Sequence, residues 1–264
     1  MQDIDLPGAL ARLHAAAPLV HNITNQVVSN LTANALLAVG ASPAMVQAEQ
    51  EVEEFVRIAA ALVVNIGTLQ APTLAAMHLA AQAATAAGVP WILDPVAAGA
   101  TAYRREAATS LLALRPQVLR GNASEIMALA GEAGTSRGVD STQAAERAQD
   151  AARRLALQSG AVVAVTGATD YITDGTNMLA VANGHKMLTR VTGTGCTATA
   201  LIGAFLGAGL LPMEAAGAGL ALLGLAAEQA APSAGPASFQ VALIDALYRM
   251  DGATLAAGAR LSWV

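Results

Sequence analysis

Short apolar runs alternate along the chain with longer stretches rich in Ala and Leu, a rhythm that predicts strands separated by helices. Strands are expected over Pro18–Ile23, Pro43–Gln47, Leu62–Ile66, Trp91–Leu93, Gln117–Leu119 and Ala161–Val165. Helices are expected over Val27–Val39, stopped by Gly40, and over Glu49–Ala60, whose acidic first turn suits a helix N-terminus. Further helices read as Pro72–Ala87 closed by Gly88, Ala123–Ala130, and a stretch capped by Ser141 and running to Ser159. The polar patch Gly134–Asp140 reads as an exposed connector. After Val165 the rhythm changes: Tyr171–Thr173, the Asp174-Gly175 turn and Asn177–Ala182 form a hairpin, and Asn183-Gly184 marks a second turn into Lys186–Arg190. From Cys196 onward the chain is mostly helical, with a break near Pro212 and a loop at Pro232–Pro236. Repeated strand–helix units imply an α/β fold, with a mainly parallel sheet covered by helices on both faces and antiparallel strands at one edge.

The chain has 264 residues, enough for one large α/β domain or two small ones. Hydrophobic residues make up 55% and charged residues 12%, so core material is ample and some surface is expected to be buried in an oligomer. The net charge of -5, scattered Lys and Arg, and 3% aromatic residues offer no basic stripe or stacking platform for nucleic acid. Cys196 is the only cysteine, which excludes an internal disulfide and a CxxC zinc site. The opening MQDIDLPGALARL carries acids and no long apolar run, unlike a signal peptide. Val191–Met213 holds no charge and is long enough to span a bilayer, but its Gly, Thr and Ala content and Pro212 read as buried helix instead. No membrane partner and a cytoplasmic location are the expectation.

In folds of this class ligands bind beyond the carboxyl ends of the strands. The residues found there are polar, strand after strand: Asn22 and Asn25-Gln26, Gln47 with Met45 just before it, Asn65 and Gly67, Asp94-Pro95, Arg120-Gly121-Asn122, and Thr166-Gly167. The densest motif, Val191-Thr192-Gly193-Thr194-Gly195-Cys196-Thr197, closes a polar loop and opens a helix of small residues. Free backbone N–H groups at a helix start bind anions, so this turn is a candidate hole for a transferring phosphoryl group. Gly193, Gly195 and Ala198 also spell GxGxxA, but the βαβ unit and acid of a dinucleotide site do not follow, and no Walker loop is present. Cys196, in the first helical turn, is open to three readings: a nucleophile with a depressed pKa, a proton acceptor, or a small buried residue. A nucleophile needs a base, and of His14, His21, His78 and His185 only His21 falls near a strand end. Asn122 and Glu125 have capping-box spacing, while Glu125 with Asp94 could also hold water-coordinated Mg²⁺. Arg120 could pair with phosphate. Glu49, Glu51, Glu53 and Glu54 read as a solvated helix face.

The stretches PLVHNITNQVVSNLTANALLAVGASPAMVQAEQEVEEF, LVVNIGTL, WILDPVAAGAT, LRGNASEIMALAG, VVAVTGATDYITDG and RVTGTGCTATALIGAF resemble the hydroxyethylthiazole kinases, within the ribokinase-like fold. They span roughly Pro18 to Phe205. The resemblance implies one ribokinase-like kinase domain over 1–264, a three-layer α/β/α fold. It also implies the reaction of ATP with 4-methyl-5-(2-hydroxyethyl)thiazole in thiamine biosynthesis or salvage. Met45, Asn25 and Gly67 would contact the substrate, with Gly193 touching its alcohol. Arg120, Thr166 and Asn122 would serve ATP, and Asp94 and Glu125 would organise Mg²⁺. Amides of Gly193, Thr194, Gly195 and Cys196 would stabilise the transferring group. Most ribokinase-like kinases carry an Asp base where thiazole kinases resemble this chain in having Cys, so Cys196 would take the alcohol proton or orient the hydroxyl. A homotrimer with shared sites is implied, with Met45 supplied by a neighbouring chain. The rival readings are a kinase of another small alcohol, such as a hydroxymethylpyrimidine, a Cys-dependent hydrolase, and a non-catalytic nucleotide-binding protein.

Overall fold

A computed structural model describes residues 3–132 and 141–264. Its strands are β1 (Leu19–Ile23), β2 (Ser42–Ala44), β3 (Ala61–Asn65), β4 (Trp91–Asp94), β5 (Val118–Asn122), β6 (Val162–Thr166), β7 (Asp170–Thr173), β8 (Met178–Val181) and β9 (Leu261–Trp263). They form one nine-stranded sheet in the order β2-β1-β3-β4-β5-β6-β7-β8-β9. The pairs from β2 through β6 are parallel, and β7, β8 and β9 continue the sheet antiparallel. This is the expected mixed α/β sheet.

Strands buried on both faces sort their side chains by the two-residue period. Val63, Ile92 and Val118 face one apolar cluster, whereas Leu62, Val64, Leu93 and Leu119 face the other. The first face is covered by α1 (Leu6–Ala16), α2 (Ser29–Ala38), α8 (Thr194–Gly207), α9 (Pro212–Ala230), α10 (Pro236–Arg249) and α11 (Gly252–Gly258). The second is covered by α3 (Val52–Val56), α4 (Ala71–Ala87), α5 (Ala102–Leu112), α6 (Ala123–Leu129) and α7 (Ser141–Ser159). Three layers result. None of the described helices is long and apolar enough to cross a membrane, and the uncharged Val191–Met213 stretch holds the whole of buried α8, the loop after it and the first residues of α9.

Several expected elements differ. The strand expected over Pro43–Gln47 ends at Ala44, which leaves Met45 and Gln47 in the connection beyond it. The helix expected over Glu49–Ala60 is a short α3, because the Ala60 N–H is needed by the Leu19 carbonyl (2.8 Å) to enter β3. Lys186–Arg190 is a 3₁₀ turn and not a strand. The place beside β8 is taken by the C-terminal β9, which pairs Leu179 with Trp263. Two helices were not foreseen. Asp5 caps α1 by accepting the Gly8 N–H (2.9 Å), and Thr101 caps α5 through the Arg104 N–H (3.3 Å). The Gly134–Asp140 connector and the Ser141 cap lie outside the described residues and side chains.

Candidate active site

Because β1 and β3–β6 run parallel, their carboxyl ends open on one edge, and α8 begins on that edge after packing across β1, β3 and β4. The cap of α8 is Gly193, in the left-handed region at φ 87. A side chain there would meet Val28 at 2.6 Å, so both the conformation and the space demand glycine. Two residues on, an ideal Cβ on Gly195 would lie 2.8 Å from Arg120 Nη1. The helix start therefore rests on the Arg120 guanidinium.

Arg120, on β5, reaches sideways in both directions. Its Nη2 donates to Thr166 Oγ1 on β6 at 2.6 Å, and its Nη1 stands 3.8 Å from Asp94 Oδ2 on β4. Its Nε is buried with no partner among the described groups. Arg120 and Thr166 line a cleft of about 690 Å³ with Asp170, Asn183, His185 and Gly195. That size suits a nucleotide-scale ligand. Burial raises the Asp170 carboxyl to about 6, against the Gly167 N–H and the Arg120 charge, which lower it.

On the other side of α8, Asn25 Nδ2 donates to Cys196 Sγ at 3.4 Å and to Asn65 Oδ1 at 2.9 Å. Asn65 Oδ1 also accepts the Gly67 N–H (3.0 Å), and its Nδ2 donates to Asp94 Oδ2 (2.7 Å). Thr199, one turn along α8 from Gly195, donates to the same Asp94 oxygen at 2.8 Å. Asp94 Oδ1 is buried and unpartnered. Burial raises the Asp94 carboxyl to about 6, with Glu125 adding to the rise and Arg120, Thr199 and Asn65 opposing it.

Of the three readings of Cys196, the nucleophile with a depressed pKa is the one disfavoured here. Burial first, then the Asp94 charge, push the thiol up to about 11, more than the Asn65 and Asn25 hydrogen bonds and Arg120 lower it. No histidine supplies a base: His21 is buried, and its Nε2 donates to the Val46 carbonyl at 2.8 Å. The geometry thus lacks the pair a Cys-dependent hydrolase needs.

Asn122 and Glu125 form the foreseen capping box. Asn122 Oδ1 accepts the Glu125 N–H (3.0 Å) and the Ser124 hydroxyl (2.7 Å). The Glu125 carboxylate accepts the N–H groups of Asn122 and Ala97, both at 2.8 Å. Among the described residues no group of three or more His, Cys, Asp or Glu could enclose a metal ion. Met45 lies away from this cluster, 36% exposed beyond the outermost strand β2.

Sequence reasoning missed three contributors. Arg104, on the unforeseen α5, donates to the carbonyls of Ile66 (2.6 Å), Gly67 (2.5 Å) and Val96 (3.0 Å), tying two strand-end loops together. His185, which does not fall near a strand end in the sequence, lines the cleft. Glu228 accepts the Gly184 N–H at 2.8 Å and pairs with Arg260, fastening the loop that carries Asn183 and His185. Only long-range folding joins these residues, so no local motif could have found them.

Residues 10–252 match the model of the hydroxyethylthiazole kinase family. The chain belongs to that family. A hydroxyethylthiazole kinase of Granulibacter bethesdensis is 58% identical over 97% of this chain and 93% of the relative. One from Moorella thermoacetica is 51% identical over 95% and 94%. The solved hydroxyethylthiazole kinase protein of Pyrococcus horikoshii superposes with a TM-score of 0.91 at 45% identity, covering 98% of both chains. A Staphylococcus aureus pyridoxal kinase, solved with pyridoxal, matches at TM-score 0.60 and 18% identity over 78% of this chain and 85% of its own, a likeness of fold alone. The fold is the ribokinase-like one, and the chain is a kinase that uses ATP.

Proposed function

We propose that this hydroxyethylthiazole kinase transfers the γ-phosphoryl group of ATP to the hydroxyl of 4-methyl-5-(2-hydroxyethyl)thiazole, in thiamine biosynthesis or salvage, as one kinase domain over 1–264. One observation carries the reading. Consecutive residues at the α8 start face two different subsites, Gly195 the Arg120 cleft and Cys196 the Asn25 amide. A group passing between them crosses the N-terminal amides of α8.

ATP phosphates would sit in the cleft on Arg120 and Thr166, with Asn122 shaping its edge by capping α6. The thiazole would lie toward Asn25 and Gly67, its alcohol at Gly193. The amides of Gly193, Thr194, Gly195 and Cys196 meet the charge on the transferring oxygens, and such positioning and charge stabilisation are most of phosphoryl-transfer catalysis. A thiol held near 11 is protonated at neutral pH, so Cys196 orients the hydroxyl before it can receive any proton.

The donor set fits Mg²⁺. Asp94 offers a buried, unpartnered carboxylate oxygen, and Mg²⁺ needs only one or two carboxylates with water completing its shell. Glu125, whose oxygens already take two backbone N–H groups, would act through such water. Bound there, the ion would neutralise phosphate charge.

Met45 would complete a neighbouring subunit's substrate site in a homotrimer. Its exposure at the sheet edge, with Val27 at 64% in the turn before α2 and Leu37 at 60% on α2, supports this. A monomer mass by light scattering with full activity would sink it. The reaction is tested by ADP release with Mg-ATP, with and without the thiazole alcohol, and with a hydroxymethylpyrimidine in parallel. Thiazole-dependent release is expected. Release with the pyrimidine alone would transfer the reading to that alcohol.

A further inference from the structure

We infer that Asn65 is a positioning residue that couples the alcohol subsite to the phosphoryl subsite. The inference rests on the functional reading above and goes beyond it, because that reading gives Asn65 no role. The side chain is 2% exposed at the last position of β3, between β1 and β4.

Each of its atoms is committed. Oδ1 accepts from Asn25 Nδ2 (2.9 Å) and from the Gly67 backbone (3.0 Å), both groups on the alcohol side. Nδ2 donates to Asp94 Oδ2 at 2.7 Å, on the phosphoryl side. Flipping the amide would set donor against donor at Asn25 and Gly67 and oxygen against a carboxylate at Asp94. The orientation is therefore fixed by its partners.

This placement has two consequences. Asn25 spends one amide hydrogen on Asn65 and the other on Cys196, at 3.4 Å, so the group it has left for a ligand is its carbonyl oxygen. An acceptor matches an alcohol O–H. Asp94 has one oxygen taken by Asn65 and Thr199, which leaves Oδ1 as its free one. Asn65 thus selects which atom each subsite presents. Gly67 packs so closely on Asn25 that a Cβ on it would stand 2.5 Å from the Asn25 amide nitrogen, and its N–H is held by Asn65 Oδ1. Alcohol binding that settles Asn25 and Gly67 therefore also settles Asp94. Two ligands that settle one shared network bind more tightly together than apart.

The test uses the full chain and two variants. Asn65→Leu removes every hydrogen bond. Asn65→Asp keeps acceptors for Asn25 and Gly67 but loses the donor to Asp94. The dissociation constant of Mg-AMP-PCP is measured by calorimetry with and without saturating thiazole alcohol, and steady-state constants are measured alongside. In the unsubstituted chain the alcohol is expected to tighten nucleotide binding by roughly fivefold or more. In both variants that ratio is expected to fall to about one, kcat to drop roughly 10- to 100-fold, and each KM to move much less. An Asn25→Ala, Asn65→Leu double variant is expected to lose no more kcat than the worse single one, since both break one network. An unchanged ratio in Asn65→Asp, a ratio of one in the unsubstituted chain, or additive losses would overturn the inference. A separate titration with alcohol alone tests the functional reading itself, and no binding there would overturn both.

Discussion

Gly195 lies against the Arg120 guanidinium so closely that a Cβ on it would fall 2.8 Å from Nη1 and 3.1 Å from Nη2. The start of α8 and the cation of the cleft are therefore fitted to one another, and Arg120 is confined between that helix, Thr166 and Asp94. Gly195→Ala is expected to displace the guanidinium by a few tenths of an ångström or more while the helix gains propensity. The melting temperature should change little, and kcat should fall roughly 100-fold because misplacement at a phosphoryl centre is costly. Normal ADP release by this variant would show that Arg120 is not in register with the transferred group.

The loop that forms the far wall of the cleft is fastened from behind. Arg260 donates its backbone N–H to Asn183 Oδ1 (2.6 Å) and its Nη2 to the Ala182 carbonyl (2.6 Å) and to Glu228 Oε1 (2.5 Å). Glu228 in turn takes the Gly184 N–H, and its carboxyl is held below its ordinary value by Arg260 and that N–H despite burial. Arg260→Ala is expected to raise the KM for ATP roughly 3- to 10-fold and leave the KM for the alcohol unchanged. Arg260→Lys should recover part of the loss, because one cation can still reach Glu228. Equal effects on both substrates would assign the cluster to general stability.

How far the sequence could be read follows from the range of the forces involved. The strand–helix alternation, the Gly40 and Gly88 stops and the Asn122 capping box act within a few residues, so β1, β3, β4, β6, α4 and α6 were legible. The polar strand ends fell on one edge because parallel strands require it. Lys186–Arg190 was misread because the neighbour of β8 is supplied from more than 70 residues away, by β9. The α5 helix was passed over because its apolar positions are few, and with it Arg104. The three readings of Cys196 could not be separated from sequence. A helix start is visible in sequence, but the burial and the Asp94 charge that outweigh it are not.

With its thiol raised to about 11, Cys196 gives a clean chemical readout as the only cysteine of the chain. Iodoacetamide is expected to react slowly at pH 7.5, and its rate should climb with pH without a plateau below about pH 10. A rate half-maximal at or below about pH 9 would show an ordinary or depressed thiol and remove the burial argument. Cys196→Ala should fold normally and turn over more slowly, whereas Cys196→Asp should keep or improve turnover, since a carboxylate accepts a proton at neutral pH far more readily. Unaltered turnover in Cys196→Ala would exclude the sulfur from the chemistry.

Asp94 sets function against stability. Its carboxyl, ordinarily near 3.8, stands at about 6 in the folded chain, chiefly through burial. The folded pKa is the higher one, so its contribution is fully present below pH 3.8 and lost as pH rises through about 6. At pH 7.5 without Mg²⁺ the ionised group costs about 3 kcal/mol relative to that acid limit, given its rise from 3.8 to about 6. Asp94→Asn removes this cost, a net figure in which the attraction to Arg120 at 3.8 Å already offsets part of the burial. The net expectation is a melting temperature a few degrees higher at pH 7.5, together with loss of kinase activity. The advantage of the variant should shrink as pH falls from 7 to 4, and it should also shrink on adding Mg-ATP, which binds the folded unsubstituted chain and not the unfolded one. Asp170, also raised to about 6, leaves the variant a residual pH dependence of the same sign. Melting curves of both proteins across that range test the account. A variant less stable at pH 7.5, with the same difference at pH 4, would show that the buried Asp94 charge is balanced by its partners and not held at a cost for catalysis.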